Sequence, residues 1–267
     1  MSTLRERRLA VLRNLRKVPE GGWEKSALAR AAGMDGPTLD AVRRELQADG
    51  WRLRERDARI LAIEEPSWLN PDAIQRDLET RRFGRELVVY QETGSTNDRV
   101  RQAAEGGAAE GLAIFAESQT AGRGQHGRRW VSPPGAGLWF SVLLRSRIRQ
   151  PEHHLILQAA ALATAEVLDV FLEPRAVVKP PNDLYVNGAK LAGFLLEAAT
   201  GGYEVLGFGV NVHAAPEVPG ASTTWAQKHA VQPLNRTHLA AAILNRFETL
   251  YLGWEPVSLM KKVKARG

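Results

Sequence analysis

The sequence contains no cysteine, so neither a disulfide framework nor a thiolate metal site is available to it. It has no apolar run near the roughly 18 residues that a membrane-spanning helix needs. Its start, Met1-Ser2-Thr3-Leu4-Arg5-Glu6-Arg7-Arg8, is charged and lacks the apolar stretch of a secretory signal. Internal repeats and low-complexity tracts are missing too. These absences make a soluble cytoplasmic protein without a membrane partner the default expectation. At 267 residues there is room for one small and one ordinary domain, and for a core that needs no covalent staples.

The net charge of +6 is unevenly spread. Residues 1–60 hold 14 Lys and Arg against 9 Asp and Glu. Lys261, Lys262, Lys264 and Arg266 crowd the last seven residues, and the stretch between is slightly acidic. A basic N-terminal segment suggests a polyanionic partner, or else a solvated helix surface.

Leu4 to Lys17 reads as a helix with an apolar stripe of Leu4, Leu9, Val11, Leu12 and Leu15, broken by Gly21-Gly22. Ser26 is the expected N-cap of a short helix, Ala27 to Ala32, closed by Gly33. Gly36-Pro37-Thr38 opens another, with Leu39, Val42 and Leu46 on one side and Asp49-Gly50 at its end. Helix, short helix, turn and helix is the helix-turn-helix order. Trp51 to Arg54 and Arg59 to Ile63 alternate apolar and charged residues, as in a two-stranded wing. Thr38, Arg43 and Arg44 then lie on or beside the recognition helix, suited to phosphates or base edges. Asp40, Glu45 and Asp49 on the same helix oppose DNA, and a protein-contact role stays open.

Glu64-Glu65-Pro66 and Asn70-Pro71-Asp72 mark a linker zone, with a short helix from Pro71 to Thr80. Strands are predicted at Leu87–Tyr90, Leu112–Ala116, Leu138–Leu144, Ala176–Lys179, Leu184–Val186, Lys190–Ala198 and Tyr203–Val212. Asn187-Gly188 is a strong hairpin signal. An Ala-rich helix is expected over His153 to Leu172 and a closing helix over Thr237 to Tyr251. Strands joined mainly by hairpins, with helices to one side, indicate an α+β fold.

The most informative segment is Gln119-Thr120-Ala121-Gly122-Arg123-Gly124-Gln125-His126-Gly127-Arg128-Arg129-Trp130. Glycines let backbone approach a ligand closely, and arginines supply permanent charge and paired donors for phosphate or carboxylate. Taken alone, the segment also fits an arginine-rich surface turn. Gly94-Ser95-Thr96-Asn97-Asp98 precedes it. Lys179-Pro180-Pro181-Asn182-Asp183, then Lys190-Leu191-Ala192-Gly193 and Gly207-Phe208-Gly209-Val210-Asn211-Val212, follow. In this order the set resembles the biotin protein ligases, over roughly residues 86 to 215. That family has a Ser-Thr-Asn turn, a Gly-Arg-Gly-x-x-Gly-Arg-x-Trp loop, a Lys-Trp-Pro-Asn-Asp strand entry, a Lys-Leu-Ala-Gly strand and a Gly-x-Asn-Val strand. With the N-terminal segment, the chain resembles the bifunctional kind, ligase and biotin-operon repressor together.

The resemblance implies a winged helix-turn-helix DNA-binding domain over 1–63 and a linker over 64–85. A class II synthetase-like catalytic domain with a mixed or antiparallel sheet then occupies 86–256, and a basic tail 257–267. It implies ATP, biotin and Mg²⁺ as ligands. A biotin carboxyl carrier protein, operator DNA and a second copy of the chain are the implied partners. Ser95, Thr96, Asn97, Gln119, Arg123, Gly124, Gln125, Lys190 and Gly193 would hold biotin. Arg123, Arg128, Trp130, Lys179, Asn182 and Asn211 would hold the nucleotide, and Asp183 a magnesium ion. Lys190 and Arg123 would be the catalytic charges. The hydroxyl and amide side chains suit a ureido ring, which needs donors and acceptors together.

Three departures accompany the resemblance. Gln125 stands where well-studied members often carry arginine, and Pro180 where tryptophan is usual. Members of the repressor kind continue into a small β-barrel, which this sequence is expected to lack. Gln125 and the short C-terminus favour an alternative, a biotin- or adenylate-sensing regulator with weak transfer; Lys179, Lys190 and Arg123 favour the ligase. A lipoate ligase shares the architecture, but the full glycine-arginine loop argues against it.

Overall fold

A computed structural model describes residues 3–146, 152–199, 201–253 and 256–266; Gly267, the last residue of the predicted tail, lies outside them. The chain forms two compact units, Met1–Arg76 and Asp77–Gly267.

The first unit begins with α1 (Leu4–Leu15), started by a reciprocal cap. Thr3 Oγ1 accepts from the Glu6 N–H at 3.2 Å, and the Glu6 carboxylate accepts from the Thr3 N–H at 2.7 Å. Next come β1 (Trp23–Glu24), α2 (Lys25–Ala31) and α3 (Gly36–Ala48), then β2 (Arg52–Arg56), β3 (Arg59–Glu64) and α4 (Pro71–Arg76). Asp35 caps α3 by accepting from the Thr38 N–H at 2.9 Å. The sheet has three strands in the order β1-β3-β2, one more than the predicted wing. Two-residue β1 carries no alternation that a sequence reading detects. Glu24, not Ser26, stands at the start of α2, with no side-chain cap. Val11, Leu12, Leu28, Leu39, Val42, Leu46 and Trp51 form the core, and Ala73 of α4 joins it. Burying Ala73 carries the unit to Arg76, past the predicted boundary at 63.

The second unit contains β4 (Leu87–Thr93), α5 (Thr96–Glu105), β5 (Ala113–Gln119), β6 (Gly137–Leu144), α6 (His153–Leu168) and β7 (Val177–Lys179). It continues with β8 (Asp183–Val186), β9 (Ala189–Ala199), β10 (Tyr203–Asn211), α7 (Arg236–Leu252) and α8 (Pro256–Lys264). The seven strands run in the order β4-β5-β6-β10-β9-β8-β7. Only β4 and β5 pair in parallel, with α5 as their crossover, so the sheet is mixed and the unit is α+β. Phe83 stacks on Phe247, so residues at the end of the predicted linker belong to this core. The predicted tail is largely α8, whose Leu259 and Val263 are buried.

Period-two alternation gives the sheet two unlike faces. Phe140 and Phe208 stack at 4.3 Å, and Phe208 meets Phe247 of α7. The other face turns Leu143 and Val205 to Val100 of α5, and carries Ser141, Gly207 and Gly209 as well. That second face holds the site.

Candidate functional site

Three glycines leave this face bare where β9 and β10 run together. Gly209 pairs with Gly193 across the strands, and Gly207 lies two residues along. The Trp130 indole rests on the pair, so that a Cβ on Gly209 would come within 2.5 Å of its ring. A Cβ on Gly207 would meet Asn97 Oδ1 at 2.6 Å. The hollow above them is a cavity of about 290 Å³. Ser95, Thr96, Asn97, Gln119, Arg123, Gly124, Gln125, Arg128, Trp130, Asn182, Asp183, Lys190, Gly193 and Asn211 all line it. Residues expected at the site from five separate segments therefore share one hollow.

Its buried end is a chain of hydrogen bonds. Gln119 Oε1 accepts from the Thr96 N–H at 2.8 Å, and Gln119 Nε2 donates to Ser132 Oγ at 2.9 Å. The Thr96 and Ser141 hydroxyls are 2.7 Å apart, and Ser141 Oγ donates to Asn97 Oδ1 at 2.5 Å. Asn97 Nδ2 donates to Glu197 Oε2 at 2.6 Å. Ser95 occupies the start of α5 without making a cap bond, so its hydroxyl stays with the cavity.

The glycine-arginine loop closes as a tight hairpin. Gly124 N–H donates to the Arg128 carbonyl at 2.7 Å and Trp130 N–H to Gly122 at 2.9 Å. Ala121 N–H ties the loop to the Gly94 carbonyl at 2.8 Å. His126 and Gly127 turn it through left-handed backbone. Arg123 reaches back to Asp98 with two 2.7 Å bonds and to Glu197 at 3.3 Å. The Arg123 hydrogen bond holds the Asp98 carboxyl below its usual pKa, and Asp98 in turn keeps Arg123 firmly charged.

Lys190 opens the working part of β9. Its ammonium lies 2.7 Å from Asp183 Oδ1 and 5.4 Å from the centre of the Trp130 ring. Its backbone is clasped by a neighbouring segment: Lys190 N–H donates to Ser222 at 2.8 Å and its carbonyl accepts from Thr224 at 2.9 Å. Asn182 Nδ2 donates to the Phe194 carbonyl at 2.8 Å, and Asn211 Nδ2 to Thr224 at 3.0 Å. Trp130 Nε1 and Asn211 Oδ1 are buried without a hydrogen-bond partner among the described residues.

Some expected residues sit elsewhere. Lys179 is exposed on edge strand β7, over the Tyr185 ring at 4.9 Å, and does not line the cavity. Asp183 is committed to Lys190, and among the described residues no group of three His, Asp or Glu side chains is placed to hold a metal. In the first unit, Arg43 is not presented to a partner. It pairs with Asp40 at 2.6 Å and with Glu55 of β2, its side chain only 11% exposed. Arg44 is exposed, and the Thr38 side chain is half-buried beside its cap. His213 lies outside the cavity, its pKa lowered by burial and by Arg236.

Sequence reasoning passed over Ser132, Ser141 and Glu197. Glu197 had a readable signal, because it shares the face of Gly193 and Leu195 by alternation.

The sequence matches the model of the biotin/lipoate A/B protein ligase family over residues 90–211. It is 30% identical over 247 residues to the bifunctional ligase/repressor BirA of Bacillus subtilis, covering 87% of this chain and 72% of that one. The chain belongs to the biotin protein ligase family. The ligase is also 35% identical over 196 residues to a biotin–[acetyl-CoA-carboxylase] ligase of Mycobacterium tuberculosis, covering 70% and 73% of the two chains. Among solved structures, the Aquifex aeolicus biotin protein ligase in complex with biotin and ATP overlays the ligase with a TM-score of 0.59. There the identity is 26%, with 68% of this chain and 78% of that one covered. Among the described residues no helix is long and apolar enough to cross a membrane.

Proposed function

We propose that this ligase activates biotin with ATP to biotinyl-5′-AMP and then passes the biotinyl group to a lysine of a biotin carboxyl carrier protein. The observation that carries the reading is the meeting of Arg123 and Lys190 in one cavity whose buried end is lined with amide and hydroxyl groups. In the first step a biotin carboxylate oxygen bonds to the α-phosphorus as the bond to pyrophosphate breaks. Negative charge crowds the reacting oxygens, and fixed cations there lower the barrier. Arg123 offers a planar fork matched to carboxylate or phosphate, and Lys190 a compact point charge. In the second step the carrier's neutral lysine amine attacks the biotinyl carbonyl carbon. AMP leaves with the bonding pair, and the amine's proton passes to solvent. Thr96, Asn97 and Gln119 offer the mixed donors and acceptors that a ureido ring requires. Trp130 Nε1 and Asn211 Oδ1 remain as one donor and one acceptor for a bound ligand.

Lys190→Ala or Arg123→Ala is expected to slow biotin-dependent ATP–pyrophosphate exchange about 10²–10³-fold while the circular dichroism spectrum is kept. Near-wild-type exchange in both variants would contradict the assignment.

The first unit supports a second activity, biotin-responsive repression at operator DNA through a winged helix-turn-helix. Support comes from the order α2, turn, α3 and hairpin β2–β3, from exposed Arg44 on α3, and from exposed Arg52, Arg54 and Arg56 on the hairpin.

A further inference from the structure

Arg123 spends both terminal nitrogens on carboxylates of its own chain. Asp98 receives one bond from each, at 2.7 Å, and Glu197 shares the second nitrogen at 3.3 Å. Arg101, one turn along α5 from Asp98, reaches Asp98 at 3.4 Å and Glu197 at 3.3 Å. Two guanidinium groups and two carboxylates thus form a charge-balanced cluster at the cavity rim. An incoming anion that takes up the Arg123 fork must displace one of the two carboxylates.

The two carboxylates are not equally easy to displace. Glu197 is 23% exposed and also accepts from Asn97, which joins it to the buried hydrogen-bond chain. Releasing it would leave a partly buried charge with fewer partners, which is costly. Asp98 is 48% exposed, so water replaces Arg123 at little cost; Arg101 stays beside either carboxylate, and exposure decides between them. Exchange therefore falls on Asp98.

We propose that Asp98 is a positioning residue for Arg123: it holds the guanidinium at the rim and yields it to the ligand's carboxylate or phosphate. Asp98 thereby competes with anionic ligands and sets their affinity, while Glu197 keeps Arg123 attached through the exchange. The proposal rests on the biotin-activating reading above. Both groups stay ionised at neutral pH, because each holds the other in its charged form. Ligand, not proton, releases the contact.

The test is calorimetric binding of biotin, and of the uncharged biotin methyl ester, to the full chain. Asp98→Asn keeps the size and one of the two accepting oxygens but removes the competing charge. It is expected to tighten biotin binding about two- to fivefold, the scale of an exposed ion pair. The ester's affinity should stay unchanged. Asp98→Glu should restore wild-type affinity, and Asp98→Asn should gain nothing in an Arg123→Ala background. Weaker or unchanged biotin binding by Asp98→Asn would overturn the proposal, as would an equal gain for the ester. A wild-type chain that binds no biotin would overturn the biotin reading and the exchange with it.

Discussion

Gln125 lines the cavity beside Arg123, where an arginine would add a further cation. Glutamine offers a neutral hydrogen bond, worth less to an anion than a charge-assisted one. A shortfall of about 1–2 kcal/mol would shorten the residence of biotinyl-5′-AMP roughly 5- to 30-fold. Gln125→Arg should slow adenylate release by that factor and reduce labelling of bystander lysines; equal release rates would show that Gln125 does not face the intermediate. At this scale the sequence was readable where a motif fixes the backbone. Arg123, Lys190, Thr96 and Gln119 reach the cavity because the loop hairpin and the start of α5 are local structures. Residues whose partners lie far along the chain were not readable. Arg43 is drawn off by Glu55, twelve residues away, and Lys179 lies on an edge strand that turns it from the cavity. Ser141 looked like one polar residue in an apolar strand, and only the sheet places it between Thr96 and Asn97.

Helix α3 carries the clearest consequence among the elements. Arg44 is exposed, whereas Arg43 fastens α3 to β2. Arg44→Ala should reduce the log–log salt dependence of operator binding by about 0.9, the value for one neutralised phosphate, with biotin activation unchanged. Arg43→Ala should instead lower the stability of the first unit by about 1–2 kcal/mol in denaturant unfolding, by freeing Asp40 and leaving Glu55 with Lys25 alone. A loss of DNA affinity from Arg43→Ala without any loss of stability would reverse these assignments. Elements with strong periodicity or punctuation were legible: α1, α3, β6 and the hairpin at Asn187-Gly188 fall where the pattern puts them. The start of helix α5 was legible, since the Ser-Thr-Asn run fits a helix cap before Asp98-Arg99-Val100 as well as a ligand turn, but its extent to Glu105 was not. Helix α8 was hidden by its lysines, with only Leu259 and Val263 facing inward.

For the whole molecule, alternation in β6, β9 and β10 is the organising fact. One face of the sheet is filled with stacked phenylalanines against α7. The other is stripped to glycine at three positions and roofed by the arginine loop. The α+β class was legible from hairpins and helix spacing, but the parallel β4–β5 pair was not, because its crossover is α5 itself. In the proposed reaction this cavity makes an activated biotin and delivers it to a carrier. The most direct measurement incubates the full chain with labelled biotin, ATP and a carrier's biotin-acceptor domain, then locates the label by mass spectrometry. Label on a single carrier lysine, dependent on ATP and lost in Lys190→Ala, is the predicted result. A chain that binds biotin and ATP yet leaves the carrier unlabelled would contradict the account.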